Sequence, residues 1–187
     1  MSNELQKALV VVAIVTFLSG CGSQKRKEGM AELQRLQSAV QDMNIVVSAG
    51  VTESEFSQRL GDALLKFGDV DQSYSQSISK FPKDEQATAS EAFAHLAKSM
   101  EAYRMSKSFF GEKKLSSDFW TSLLYRDEYD QVRKQFPSLS ELEVAERVPK
   151  DASEVSYYRR DMLQALWKVA AEESAKAKEL IDKLARE

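Results

Sequence analysis

One cysteine, one histidine, three prolines and seven glycines in 187 residues leave this chain without several common devices. With Cys21 alone, no intramolecular disulfide can form, so stability in any compartment must come from packing. With His95 alone, zinc motifs of the His-Glu-x-x-His type are excluded, and so are the paired Glu-x-x-His ligands of di-iron bundles. Haem attachment through Cys-x-x-Cys-His, a Gly-x-Ser-x-Gly nucleophile elbow and a phosphate-cradling glycine loop are likewise absent. Excess charge of one sign is missing too: 26 Lys and Arg stand against 29 Asp and Glu, a formal net charge of -3, which gives no general attraction to nucleic acid. The scarcity of Pro and Gly, with abundant Ala, Leu, Glu, Lys and Gln, points to long helices and an all-α fold.

The only long apolar run is Ala8 to Phe17, interrupted by Thr16 and preceded by Lys7. About ten apolar residues are too few for a bilayer core that needs roughly 20. The small residues Ser19 and Gly20 then lead to Cys21, the layout of a cleaved export signal. The tetrad Leu18-Ser19-Gly20-Cys21 resembles the lipobox of bacterial lipoproteins. That resemblance implies a signal peptide over 1–20, cleavage before Cys21, and diacylglycerol and acyl chains (palmitate among them) on Cys21. Two or more chains anchor stably, at about 0.8 kcal/mol per buried methylene. Gly22, where Asp does not stand, resembles the pattern sent on to the outer membrane in a two-membraned bacterium. Residues 21–29 then read as a lipidated cysteine and polar tether carrying Lys25, Arg26 and Lys27, with a reach of about 25–30 Å when fully extended. The basic trio either meets anionic lipid, at about 1 kcal/mol per charge, or is a soluble spacer.

Residues 30–187 are expected to form one helical domain. A first helix is read over about 30–48 from Leu33, Leu36, Val40, Met43 and Val47. Thr52 and Glu55 form a capping box, with Val51 and Phe56 as hydrophobic staple, opening a second helix that runs through Leu60, Leu64, Phe67, Tyr74 and Ile78 to Phe81-Pro82. Gly61 and Gly68 inside it suggest close approach of a neighbour. The junction Ser48 to Phe56 also resembles one in uncharacterised bacterial helical proteins, a likeness that implies no activity. A third helix capped by Asp84 reaches about Phe110, and short pieces fill an insertion over about 111–151: Phe119 to Tyr125, Glu128 to Phe136, and a small helix opened by Ser140 and Glu143. Asp151 and Glu154 open a last helix, about 50 Å long, to the C-terminus. Four long helices and short turns predict an antiparallel up-and-down bundle with a short-helix insertion before the last.

No catalytic residue, cofactor or metal ligand is expected. His95, one turn after Glu91, reads as a surface or helix-flank histidine, and Glu172-Glu173 as a solvated helix face. The compositional peculiarity is aromatic: eleven of the sixteen aromatics beyond Phe17 lie between Tyr103 and Trp167, interleaved with Lys107, Lys113, Lys114, Arg126 and Arg133. Either they form a satellite core or they form a partner-binding surface, since Trp, Tyr and Arg dominate hot spots. The candidate surface is Phe109, Phe110, Trp120 and Tyr129, with Trp120 the most buried and the exposed area nearer the other three. The chain is thus expected to be a non-enzymatic envelope lipoprotein, held to the membrane by its N-terminal anchor and meeting an envelope protein partner. The alternative is a bundle that binds an apolar or lipid-like ligand, and an enzyme of unrecognised type stands third.

Overall fold

The computed structural model describes the backbone of residues 3–68, 70–110, 123–137, 139 and 154–186, and side chains throughout these except at 3–21, 70–73, 123–127, 129 and 154–160. The fold is all-α. Its helices are α1 (Asn3–Ala49), α2 (Glu53–Phe67), α3 (Val70–Ile78), α4 (Gln86–Ser106), α5 (Arg126–Gln135) and α6 (Arg159–Leu184). A two-stranded antiparallel ribbon, β1 (Leu123–Tyr125) with β2 (Glu154–Tyr158), joins α5 to the bundle. Its register sets Leu124 opposite Val155 and Tyr125 opposite Glu154.

Four contacts fix the directions of α1, α4 and α6. Arg26, low on α1, meets Glu85 just before α4 and the carbonyl of Leu184 at the end of α6. Higher up, Asn44 of α1 meets Tyr103 of α4 and Ser174 of α6. So α1 and α4 run parallel and α6 runs against both, while the tight 50–52 turn sends α2 back down beside α1. This is the up-and-down bundle read from the sequence.

The core draws Leu33, Leu36, Val40 and Met43 from α1, Phe56 and Leu60 from α2, Phe93, Leu96 and Met100 from α4, and Leu166, Ile181 and Leu184 from α6. Alanine and serine hold α4 against α6: Ala92, Ser99 and Ala102 face Ala170 and Ala177 in the buried set. The Ser99 hydroxyl donates to the Ala170 carbonyl at 2.7 Å, so its burial leaves no hydroxyl unpaired.

Several boundaries differ from the sequence reading, each for a local reason. The 22–29 stretch is no free tether. It is helical and continuous with α1, because Gln, Lys, Arg and Glu are good helix formers as well as polar residues. Its far end is packed: Gly29 is so close to the Phe81 ring that a Cβ there would stand 2.6 Å from Cε2. The second helix is broken at Gly68, whose φ of 61° only glycine adopts readily and whose N–H caps the Leu64 carbonyl at 3.0 Å. Gly61, by contrast, faces open space and marks no close approach. The N-cap of α4 is Glu85, with Asp84 in the turn before it.

The last helix starts at Arg159 and has 26 residues, about 39 Å and not 50. Glu154 to Tyr158 form a strand instead, as Val155, Tyr157 and Tyr158 suit a pleated surface. Leu123 to Tyr125, read as part of a short helical piece, is the strand opposite, whereas the Glu128 to Phe136 piece appears as α5. The helix expected after Ser140 lies outside the described residues. Thr52 does cap α2: its Oγ1 accepts the Glu55 N–H at 3.3 Å, and Phe56 is fully buried with Val51 packed against the core.

Candidate functional site

Four places in the molecule bring chemistry together, and the first corrects the expected aromatic surface. After α4 a 3₁₀ turn, Lys107–Phe109, folds the chain over the start of α2. Phe109 and Phe110 are thereby buried, 2% and 8% exposed, and do not present an apolar patch. The Phe110 ring lies 4.7 Å from Phe56 and 5.6 Å from Trp167, and Phe56 lies 5.8 Å from Trp167, all tilted pairs. Such pairs contribute about 0.5–1.5 kcal/mol each beyond the area they bury. The Trp167 indole N–H reaches Ser106 Oγ at 3.1 Å, and that hydroxyl donates to the Tyr103 carbonyl. Trp120 and the Tyr129 side chain lie outside the described residues, as does the side chain of Cys21.

The second place is the only histidine. His95 of α4 reaches across to Glu173 of α6, with 2.5 Å between Nδ1 and Oε2, while Glu91 stands 3.9 Å from Nε2. An ionised carboxylate can only accept, so Nδ1 carries the proton of this bond. Lys98 and Lys176 meet the other oxygen of Glu173 at 3.2 and 3.0 Å. Burial alone would raise the Glu173 carboxyl, yet the hydrogen bonds from His95, Lys176 and Lys98 outweigh it and hold the group at about 2.

Glu173 is therefore not part of a solvated face. Its side chain is 5% exposed, while that of Glu172 is 56% exposed. The signal was present in the spacing, because Leu166, Ala170, Glu173, Ala177, Ile181 and Leu184 form one stripe at intervals of three and four. The arrangement orients His95 but brings no further ligand to it. Among the described residues, no group of three or more His, Cys, Asp and Glu side chains is placed to hold a metal ion.

A polar seam runs through the middle of the bundle. The Tyr103 hydroxyl donates to Asn44 Oδ1, and Asn44 Nδ2 and Gln37 Nε2 both donate to Ser174 Oγ, at 3.3 and 3.4 Å. Burial pushes the Tyr103 phenol well above its ordinary range and keeps it neutral as a donor. Gln37 Oε1 is buried without a partner. These bonds link α1, α4 and α6 at one level, a geometry that favours one register of the three helices over a slipped one.

The fourth feature is a groove of about 510 Å³ between α2, α4 and α5. Leu64, Phe67, Met100 and Phe136 supply apolar lining, and Lys98 and Arg104 are among its polar residues. Arg104 is held by a two-point pair to Glu101 on its own helix, at 2.6 and 2.7 Å, which raises its guanidinium further above its ordinary value. Leu65, on the same helix as Leu64, is 82% exposed. A cleft of this size and character suits an apolar ligand or an apolar side chain of a partner. Nothing in the sequence singled it out, because its walls come from three segments whose relative placement only the fold supplies.

Among the described residues, no helix is long and apolar enough to cross a membrane. No protein-family model matches the chain, and neither curated proteins nor solved structures include a match to it.

Proposed function

We propose that the chain is a membrane-anchored bacterial envelope lipoprotein whose helical bundle serves as a non-enzymatic interaction module. The observation that carries this reading is the tetrad Leu18-Ser19-Gly20-Cys21 after an apolar run too short to span a bilayer. The packed domain supports it from the other side. Arg26 and Gly29 are already fixed to the body of the bundle, so a lipid on Cys21 would hold the folded domain close to its membrane. The reading is tested by a Cys21→Ser variant followed by cell fractionation and intact mass. Wild type is expected in the membrane fraction with the mass of an acylated chain starting at Cys21, and the variant outside that fraction. A variant processed and retained like wild type would refute the anchor.

The groove between α2, α4 and α5 favours a second reading, a bundle that holds an apolar or lipid-like molecule. Native mass spectrometry of protein purified without detergent separates the two. A co-purifying small molecule that is lost in Met100→Lys supports ligand binding, and wild type free of any bound molecule supports the interaction module.

A further inference from the structure

The lower end of the bundle gathers cations from three segments far apart in sequence. Arg26 draws them together: its Nε lies 2.9 and 2.8 Å from the two oxygens of Glu85, and its Nη2 lies 2.6 Å from the Leu184 carbonyl. The turn after α3 carries Lys80 and Lys83 around Phe81, which packs on Gly29, and the end of α6 carries Lys183 and Arg186 around Leu184. On α1 itself Lys25 and Lys27 flank Arg26 and are exposed. Of the basic trio in the sequence, then, Arg26 is spent inside the fold, and four cations from elsewhere join the other two.

The carboxylates nearby do not cancel this. Glu85 is taken by Arg26, and Asp182 is taken by Lys178 at 2.6 Å. Among the described residues, Glu28, Asp84 and Glu179 are left against Lys25, Lys27, Lys80, Lys83, Lys183 and Arg186, an excess of cations in a protein whose net charge is -3. The enrichment is therefore local and not a property of the composition.

Its position relative to Cys21 gives it a partner. Lys25 and Lys27 follow Cys21 by four and six residues on one helix, about 6 and 9 Å along the axis at 1.5 Å per residue. The contacts of Arg26 and Gly29 bring the other two segments to nearly the same level. At physiological ionic strength charges interact over a Debye length of about 8 Å, which places Lys25 within range of a surface at Cys21 and Lys27 at its edge.

We propose that these six cations form a basic collar that docks the lower end of the bundle onto anionic lipid headgroups of the membrane that holds the anchor. The collar rests on the lipoprotein reading for its nearness to the bilayer, and it sets which end of the domain faces the lipid. The opposite end, with the 50–52 turn, exposed Glu53 and Glu55 and the ribbon, then points away from the membrane toward whatever the module meets.

The test measures binding of the purified full chain to vesicles of phosphatidylcholine alone and of phosphatidylcholine with phosphatidylglycerol. Binding to the neutral vesicles, with the intact mass, reports the anchor; the ratio of anionic to neutral affinity reports the collar. A Lys or Arg near an anionic surface strengthens binding by about fivefold. Changing Lys25, Lys27, Lys83 and Lys183 together to Gln is therefore expected to lower that ratio by about a hundredfold or more. Neutral binding should stay as it is, and added salt should lower the wild-type ratio in the same direction. The corresponding Lys→Arg variant should keep the ratio, which separates charge from any loss of fold. A wild-type ratio near one, or a ratio that survives the Gln variant with its helical spectrum intact, would overturn the collar even with the anchor in place. An unlipidated mass and no neutral binding would overturn the anchor, and binding to the anionic vesicles by itself, lost or kept in the Gln variant, then decides for or against the collar.

Discussion

Replacing Glu173 by Gln tests whether the buried carboxylate between α4 and α6 stabilises the bundle through its charge. In the folded chain three hydrogen-bond donors hold the group at about 2, against an ordinary value of 4.5. The folded value lies below the unfolded one, so the carboxylate contributes stability above pH 4.5, and that contribution is lost as pH falls from there toward about 2. Each unit of separation corresponds to about 1.36 kcal/mol, so the whole contribution is about 3 kcal/mol. Urea unfolding followed by circular dichroism, at a series of pH values, reads it directly. Wild type should exceed Glu173→Gln by about 3 kcal/mol at neutral pH, with the gap closing through the acid limb. His95→Leu removes one donor and leaves Lys98 and Lys176, so its cost should be no larger, about 1.5–3 kcal/mol for one charged hydrogen bond. Two parallel curves for wild type and Glu173→Gln would refute the reasoning, because a constant offset is a loss of packing and not of ionisation.

Thr52→Ala should cost about 0.5–2 kcal/mol, seen as a lower urea midpoint, since its hydroxyl oxygen satisfies the free Glu55 N–H. Phe110→Ala should cost about 3–5 kcal/mol in the same assay, as for a large core residue. A negligible change would return Phe110 to the role of an exposed contact. Two glycines should respond in opposite directions. Gly61→Ala, facing open space in a helix, should stabilise by about 0.5–1 kcal/mol, whereas Gly29→Ala should destabilise by about 1–2 kcal/mol because overpacking against the buried Phe81 ring exceeds the same propensity gain.

What could be read from the sequence was what depends on neighbours three or four residues away. The Thr52 cap, the staple of Val51 and Phe56, and the apolar stripes of α1, α4 and α6 are all of that kind, and with short turns they imply the up-and-down bundle. The break at Gly68 was hidden because the apolar spacing carries on across it, through Phe67, Tyr74 and Ile78 at intervals of seven and four. β2 was hidden by the opposite effect. Glu154 to Tyr158 has a helix-like acidic start, but its aromatic and β-branched residues find β1 about thirty residues earlier in the sequence.

The charged groups follow a further rule. Side chains on polar faces, such as Glu172, behave as composition suggests, whereas Glu173, Arg26 and Glu85 are drawn in by partners 75, 59 and 59 residues away along the chain. Their roles depend on helix direction: only because α6 runs against α1 does the Leu184 carbonyl arrive beside Arg26, and only because α4 runs with α1 does Glu85 arrive there too. The same two directions bring Lys80, Lys83, Lys183 and Arg186 to the level of Lys25 and Lys27. Local periodicity therefore predicts which residues are buried, but the charge of one end of a bundle is a property of its topology. A bundle in which α4 or α6 ran the other way would scatter the collar while leaving every helix intact.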